Sequence, residues 1–416
     1  MSLIPAPSAG RAWAWPALLA AGLACADDVP PLADHIVPIE VRQFYAGQVN
    51  TPFVDVTVCD AAQSCRTVPN VIVDTGSTGL RLYRGALDGL ELEAVTTPDD
   101  RPLSDWSKFG ERYLWGAIHR AHVRIGQVTT TQAIPIEIYD RPTPFERLPD
   151  AYMQGDSREW IIRTGNGILG ISTSPREAGS YCVERAAGGV QSAPQWEWVL
   201  VDEGRQLANP IAYFPEPYNN GSVIQLPAVD ARAVGAKVQG WLGLGLGTPT
   251  DALFAPGVRV LWSELDKDGY FPLTIGERRL DVMLDSGTNL LALDLDHLDI
   301  PCRGAGDDRY DAPIATPIEL TAKCGGRQFR LEQPLYVGPA DATLCGNLGY
   351  AVLPTMALAS RWTNGRNTLG IPFFYGRTVA TGLRGTVNPF AQAPRVIGEG
   401  FAVPSKSPNG FIAYTD

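Results

Sequence analysis

Two short motifs with the same order of residue types carry the side chains best suited to chemistry. Each is an apolar run that ends in Asp and continues with a hydroxylated residue, Gly and a second hydroxylated residue. The first spans Val71–Ser77 and contains Asp74, and the second spans Val282–Thr288 and contains Asp285. The two Asp residues are 211 positions apart. The repeat therefore predicts two related halves that each contribute one carboxylate.

Two carboxylates held a few ångströms apart can share one proton, because like charges at that distance cannot both ionise. The ionised member can activate water as a general base while the protonated member acts as a general acid. In each loop the first hydroxyl could tie the loops together, the Gly permits a tight turn, and the second hydroxyl could reach the outer carboxylate oxygen. These supporting residues are Thr75, Gly76, Ser77, Ser286, Gly287 and Thr288. This chemistry needs neither a metal nor another cofactor.

A single motif of this kind has a simpler interpretation. One Asp-Thr-Gly after an apolar strand more often forms an ordinary turn than a catalytic site. Two copies, each after an apolar run and half a chain apart, favour the catalytic interpretation. No His stands at a motif spacing from Ser77, which argues against a serine hydrolase.

The elements that must position these residues are short strands. Apolar and β-branched residues alternate in runs such as Phe53–Val58 and Ala121–Ile125, with Gly, Pro, Asn and Asp clusters between the runs. The 43 Gly and 34 Pro supply many turns. This pattern predicts an all-β protein with hairpins, in which Gln195–Leu200 and Asp294–Leu298 are the candidates for short helices. The net charge of −11 argues against nucleic acid as a partner.

An apolar-apolar-Gly element follows each Asp motif, within Gly167–Ile171 in the first half and within Thr368–Phe374 in the second. With the four elements in this order, the sequence resembles the pepsin-like aspartic peptidase family over nearly the whole chain. It also resembles a poorly characterised bacterial branch of exported proteins with that fold, through stretches such as Phe411–Tyr414. The resemblance implies two related β-barrel-like lobes with an active-site cleft between them. It also implies that Asp74 and Asp285 are the catalytic residues.

The sequence departs from the family pattern near the first Asp motif. Pepsin-like enzymes carry a hairpin called the flap, with a Tyr-Gly pair that this chain lacks. Tyr113 and Trp115 are the candidates for flap and substrate contacts, and Trp115 lies 41 positions after Asp74. Where the family usually has Trp, this chain has Arg81, a further candidate for a substrate contact. A cation beside the two carboxylates is expected to favour their ionised forms and move the pH optimum upward.

Residues 1–26 have the pattern of an export signal. Arg11 precedes an apolar run over residues 12–24, and small residues around Cys25 form a cleavage site. The sequence therefore predicts an exported protein, periplasmic or secreted. One alternative is a membrane anchor, for which the run is short. The other is a lipid anchor at Cys25. No other segment is apolar over the length that a transmembrane helix requires.

The cysteines agree with export. Of the 7 Cys, all but Cys25 belong to the predicted mature chain, and the even number that remains predicts three disulfides. Cys59 and Cys65 flank a short polar segment that can turn back on itself, so they form the best-supported pair. The other pairings stay open. No Cys-x-x-Cys pair supports zinc binding.

Together these features predict an all-β, bilobal pepsin-like fold. Residues 1–26 form the signal peptide, residues 27–228 the N-terminal lobe with Asp74, and residues 229–416 the C-terminal lobe with Asp285. The predicted function is an aspartic-type endopeptidase that hydrolyses extended polypeptides and acts as a monomer. The alternative is a non-catalytic binding or inhibitor protein on the same fold, and a remoter one is an envelope protein with a structural role. Loss of either Asp would have favoured the alternatives.

Overall fold

The structure is a computed structural model that describes residues 33–44, 48–109, 112–139, 165–185, 196–232, 237–248, 251–255, 257–304, 307–313, 315–324, 327–339, 351–363, 365–392 and 403–415. The predicted export signal, with Cys25, lies outside these residues, as does Cys345. The described residues form 26 strands, several 3-10 turns and one short α-helix, α1 (Ile371–Phe374), which confirms the all-β class. None of the helices in the described ranges has the length and apolar character needed to cross a membrane.

The strands are short and are separated by turns, as the alternating runs predicted. In chain order the first are β1 (Ile36–Arg42), β2 (Thr51–Cys59), β3 (Cys65–Asp74), β4 (Thr78–Tyr83), β5 (Glu93–Ala94), β6 (Leu103–Phe109), β7 (Arg112–Ile125), β8 (Val128–Thr129), β9 (Ile134–Tyr139), β10 (Gly167–Ile171), β11 (Ser180–Glu184), β12 (Trp196–Trp198) and β13 (Gly221–Gln225). The others are β14 (Val238–Leu244), β15 (Val260–Glu264), β16 (Phe271–Ile275), β17 (Arg278–Leu284), β18 (Leu291–Leu293), β19 (Thr316–Ile318), β20 (Leu320–Cys324), β21 (Arg327–Arg330), β22 (Leu335–Pro339), β23 (Met356–Ala359), β24 (Asn367–Leu369), β25 (Thr378–Gly382) and β26 (Phe411–Thr415).

The described strands form two sheets. The larger contains 17 strands, β1 to β15 with β25 and β26, and the smaller contains the nine strands β16 to β24. One extended core of buried apolar side chains includes members of both sheets, for example Val41 and Val56 from the larger and Leu273 and Val282 from the smaller. Strands from both sides of residues 228 and 229 contribute to the larger sheet, so the lobe boundary placed there stays a prediction.

The same strand arrangement surrounds both Asp motifs. In the first, β10 pairs in parallel with β3 and antiparallel with β4, so that it lies between them. In the second, β24 pairs in parallel with β17 and antiparallel with β18. The apolar-apolar-Gly elements predicted from the sequence are therefore the strands that lie beside the two Asp loops. This repeated unit confirms the predicted bilobal, pepsin-like fold.

One of the two candidate helices is wrong. The stretch Gln195–Leu200 contains strand β12, because Trp196 to Trp198 pair with β11 in the larger sheet. The other candidate, Asp294–Leu298, is confirmed in part, since it contains a short 3-10 helix over Asp296–Leu298.

The disulfide between Cys59 and Cys65 is confirmed, and it joins the facing ends of β2 and β3. The expectation of three disulfides is wrong, because Cys182, Cys302 and Cys324 are free thiols.

The disulfide closes a short loop, so its removal tests how much this hairpin contributes to stability. The double variant Cys59→Ser, Cys65→Ser should lower the free energy of unfolding by about 2 kcal/mol, because the unfolded chain regains the entropy of a loop of this size. Urea denaturation of the folded protein measures the change. Cys302→Ser is the control, since its thiol is free and only partly buried, and it should leave stability nearly unchanged. Equal stability of all three proteins would contradict the expectation.

Candidate active site

Asp74 is the last residue of β3, and its position depends on a close approach of β10. Gly170 lies opposite Asp74 in the parallel pair of β3 and β10. A Cβ atom at Gly170 would lie 2.7 Å from the backbone carbonyl carbon of Thr78 and 2.8 Å from the carbonyl oxygen of Gly79. Only glycine lets β10 lie this close to the start of β4, which explains the Gly of the first apolar-apolar-Gly element.

Asp285 follows β17 and is held in the same way. Its backbone N–H donates to the carbonyl oxygen of Leu369 on β24, at 3.1 Å. A Cβ atom at Gly370 would lie 2.3 Å from the carbonyl oxygen of Thr288 and 2.1 Å from that of Leu290. The second apolar-apolar-Gly element therefore packs against the second Asp loop as the first packs against the first.

Reciprocal hydrogen bonds join the two loops. The backbone N–H of Thr75 donates to Oγ of Ser286 at 3.0 Å, and the backbone N–H of Ser286 donates to Oγ1 of Thr75 at 3.0 Å. Each hydroxyl also donates to a carbonyl oxygen at the end of the opposite strand, Thr75 to Leu284 at 3.2 Å and Ser286 to Val73 at 2.7 Å. These bonds are buried, and they fix the relative position of the two Asp residues.

Both carboxylates accept hydrogen bonds from their own loops. Asp74 Oδ1 accepts from the Gly76 N–H at 2.8 Å, and Oδ2 accepts from Oγ of Ser77 at 2.5 Å. Asp285 Oδ1 accepts from the Gly287 N–H at 2.8 Å, and Oδ2 accepts from Oγ1 of Thr288 at 2.6 Å. The supporting residues predicted from the sequence all lie around Asp74 and Asp285, the pair called the dyad below. The first hydroxyls join the loops, and the second hydroxyls reach the Asp carboxylates, as their positions suggested.

The two carboxyl groups contact each other across the loops. A Cβ atom at Gly76 would lie 2.5 Å from Cγ of Asp285, and one at Gly287 would lie 2.6 Å from Cγ of Asp74. Both glycines are therefore required for this approach. Burial of its carboxyl, reinforced by the neighbouring Asp74 charge, raises the pKa of Asp285 to about 8. The arrangement keeps one proton on the pair at neutral pH, so a proton acceptor and a proton donor lie side by side.

Arg81 forms ion pairs with acids other than the two Asp residues of the repeated motif. Its side chain is completely buried and contacts the carboxylates of Asp105, Glu137 and Glu177. The expectation that Arg81 favours the ionised forms of the two catalytic candidates is wrong, because three acids surround its guanidinium and the pKa of Asp285 is raised. A completely buried side chain is not available to a substrate, so the structure also contradicts a substrate contact by Arg81.

The other two flap candidates lie on β7, which forms a hairpin with β6. The backbone of Tyr113 pairs with Lys108, and that of Trp115 pairs with Trp106. The ring of Trp115 is partly buried and meets the ring of Trp196 edge-on, with the ring centroids 4.4 Å apart. The structure thus places both residues on a hairpin after the first Asp motif, and their contact with a substrate stays a prediction.

The chain is similar to a family of proteins and to a solved structure. A family model described as a protein of unknown function, DUF3443, matches residues 31–397. The chain belongs to the DUF3443 family. Among solved structures, this DUF3443 chain is similar to the aspartic proteinase from Irpex lacteus, with 14% identity, a TM-score of 0.49, and coverage of 91% of this chain and 96% of that chain. No curated protein matches it in sequence.

Sequence reasoning missed the partners of Arg81 in this DUF3443 protein. The signal was present, because Arg81 and Glu137 each stand inside an apolar strand run, where a charge must find a partner. The three acids do not form a metal site: in the described residues no group of three or more His, Cys, Asp or Glu side chains could hold a metal ion.

The bonds between the loops can be tested by removing one hydroxyl. Ser286→Ala should lower the free energy of unfolding by about 3 kcal/mol, because the buried N–H of Thr75 and the carbonyl of Val73 lose their partner. Ser263→Ala removes only an exposed hydrogen bond to the Glu264 carbonyl and should change stability by less than about 0.5 kcal/mol. Chemical denaturation of both variants provides the comparison. Equal stability of the two would show that these bonds do not hold the loops.

Proposed function

We propose that the protein is an aspartic-type endopeptidase in which Asp74 and Asp285 act as one unit. The observation that supports this most directly is the contact between the two carboxyl groups, each of which also accepts a backbone N–H and a hydroxyl from its own loop. A buried pair of acids costs stability, because one member must keep its proton at a pH where it would otherwise lose it. Acid–base chemistry requires a pair of acids that shares one proton, which gives the protein a reason to accept that cost.

The proposed mechanism assigns a different role to each carboxyl group. Asp285 holds the proton of the pair, so Asp74 takes a proton from a water molecule as the general base. The oxygen of that water attacks the carbonyl carbon of a peptide bond. Asp285, with its raised pKa, holds the proton that goes to the carbonyl oxygen. The tetrahedral intermediate then breaks its C–N bond as Asp74 gives its proton to the amide nitrogen and Asp285 takes a proton back from a hydroxyl of the intermediate, which restores the pair.

The substrate we propose is an extended polypeptide. A cleft between two β lobes can bind such a chain through main-chain hydrogen bonds, with side chains entering alternate pockets. Trp115 and Tyr113, on the hairpin next to the first Asp loop, are the proposed contacts to it. We also propose that the protein is exported, to the periplasm or beyond, through its residues 1–26.

The shared role of the two carboxyl groups predicts strongly non-additive variants. Asp74→Asn and Asp285→Asn should each reduce kcat on an unstructured protein substrate by about a thousandfold or more, and the double variant should be no worse than either single one. The amide has nearly the same shape as the carboxylate, so all three variants should fold. Rates from acid to neutral pH, together with melting curves, measure both effects.

Asp281→Asn is the matched control, because Asp281 is an exposed residue of β17 close in sequence to Asp285. It should retain the wild-type rate. If both single dyad variants retain wild-type cleavage, another group performs the chemistry. If the wild type cleaves nothing at any pH, the binding or inhibitor function becomes the better assignment.

The raised pKa of Asp285 also predicts how stability depends on pH. The folded state retains the Asp285 proton up to about pH 8, whereas the unfolded chain loses it near the ordinary Asp value of about 4. The folded state therefore binds more protons between these values, and its stability falls as the pH rises through this window. In Asp285→Asn this contribution is absent, so Tm should fall less between about pH 4 and pH 8 than in the wild type.

Thermal melts at several pH values measure this difference. Asp281→Asn should keep the wild-type slope, because its carboxylate is exposed. A slope that is the same in the wild type and in Asp285→Asn would show that Asp285 ionises normally in the folded protein.

A further inference from the structure

One guanidinium and three carboxylates form a buried cluster next to the Asp74 loop. Nε of Arg81 lies 2.8 Å from Oε2 of Glu137, and its Nη2 lies 3.4 Å from Oδ2 of Asp105 and also contacts Oε2 of Glu177. The side chains of Arg81, Asp105 and Glu137 are 0% exposed, and that of Glu177 is 25% exposed. The four residues come from β4, β6, β9 and the segment after β10, so the cluster joins four parts of the chain.

Arg81 reaches alternate residues along β6. Besides its ion pair with Asp105, its Nη2 donates to Oγ of Ser107 at 2.8 Å, and its guanidinium carbon lies 5.3 Å from the ring centroid of Phe109. Because alternate residues of a strand point to the same face, Arg81 contacts one face of β6 from Asp105 to Phe109. On the other side its Nη1 donates to the carbonyl oxygen of Thr78 at 2.8 Å.

The outer part of the hairpin, residues 107–109 of β6 and 112–116 of β7, has few backbone pairings with other strands. The pairing of β6 with β11 ends at Trp106, and the pairing of β7 with β9 begins at Ala117. Beyond these points, within the described residues, β6 and β7 pair with each other. The contacts of Arg81 with Ser107 and Phe109 are therefore placed to hold this part of the hairpin against β4.

The cluster contains more acids than bases. Burial raises the pKa of Asp105, and it raises that of Glu137 further above the usual range. Burial first, with the Asp105 and Asp74 charges adding to it, raises the pKa of Glu177 to about 7. Burial alone would lower the pKa of Arg81, but the three carboxylates raise it, so this residue stays charged.

Two further titratable groups face the cluster from β11. The hydroxyl of Tyr181 donates to the carbonyl oxygen of Glu177 at 2.9 Å. Burial raises the pKa of Tyr181 well above its ordinary value, so this residue stays neutral at neutral pH. Cys182 lies near Asp105 and Glu137, and burial raises the pKa of its thiol to about 11, so it also stays neutral. Glu177 combines a pKa near neutral with a partly exposed side chain, so it is the member of the cluster through which we expect pH to act.

We propose that Arg81 is a positioning residue that holds the β6–β7 hairpin beside the Asp74 loop, and that ionisation of Glu177 weakens this attachment. At acid pH a protonated Glu177 leaves Arg81 balanced by the remaining acids. Above neutral pH the added negative charge is buried beside Asp105, Glu137 and Asp74, and it is relieved when the hairpin moves away and water reaches Glu177. The effect on substrate cleavage rests on the proposed peptidase function, whereas the hairpin itself can be observed without any substrate.

Hydrogen exchange of the full chain tests this proposal. Protection of the backbone amides in residues 103–109 and 112–118 is compared at about pH 5 and about pH 8, after correction for intrinsic exchange rates. In the wild type, protection of these peptides should fall by about tenfold at the higher pH, because ionised Glu177 favours the open hairpin. In Glu177→Gln the amide imitates the protonated acid, and protection should stay at its low-pH value.

Glu203→Gln is the matched control. Glu203 also pairs with an arginine, Arg176, but its side chain is 78% exposed, so this variant should keep the wild-type pH response. Arg81→Lys keeps the positive charge but loses the planar fork, and should lower hairpin protection at both pH values. If Arg81→Lys does not fold, Glu177→Gln decides the question alone. A wild-type hairpin whose protection does not change with pH, or an unchanged response in Glu177→Gln, overturns the proposal.

A parallel cleavage assay separates this inference from the proposed function. If the hairpin responds to pH as expected and nothing is cleaved, the attachment is real and the peptidase function fails. If the wild type cleaves its substrate and the hairpin does not respond, the positioning role fails while the dyad stands. If both hold, Glu177→Gln should lower KM at about pH 8 relative to the wild type and leave kcat nearly unchanged, since the dyad is intact.

Discussion

The rest of the structure depends on one constraint, which is that two acidic side chains must stay in contact although they repel each other when both are ionised. The reciprocal hydrogen bonds between Thr75 and Ser286 provide this contact, because each residue binds the backbone of the other loop. The strand arrangement follows from the same requirement. Strand β10 packs beside the Asp74 loop, and β24 packs beside the Asp285 loop. Gly76 and Gly287 lack a Cβ atom, which leaves room for the carboxyl group of the opposite loop.

Buried acids occur in two neighbouring places, and both favour retention of protons. At the dyad, burial of Asp285 raises its pKa, and the neighbouring Asp74 charge adds to this effect. In the Arg81 cluster, burial likewise raises the pKa values of the three acids, which outnumber the one base. In both places the folded state binds protons that the unfolded chain would release, so stability should decrease from acid towards neutral pH. The buried charge distribution therefore suits acidic surroundings, whatever the net charge of the surface.

The sequence allowed prediction of features that depend on local patterns, and it did not allow prediction of those that depend on distant partners. The two Asp motifs, the glycines that follow them and the apolar strands beside them are short patterns, so their roles in the fold were predictable. The partners of Arg81 come from three other segments, and only the folding of the sheet brings them together. The cysteine count failed for a similar reason. Cys182 lies on β11 and Cys324 on β20, in different sheets, and an even number of cysteines gives no information about such positions.

The larger sheet is assembled from strands that are far apart along the chain. Ile36 on β1 pairs with Gly243 on β14, and Ser222 on β13 pairs with Thr381 on β25. Such non-local pairings give a high contact order, and chains of this kind fold slowly because distant segments must meet before either is stable. Neither half of the chain can complete this sheet by itself. The contact between Asp74 and Asp285 likewise joins the two halves of the chain, so it cannot form until segments from both halves have come together.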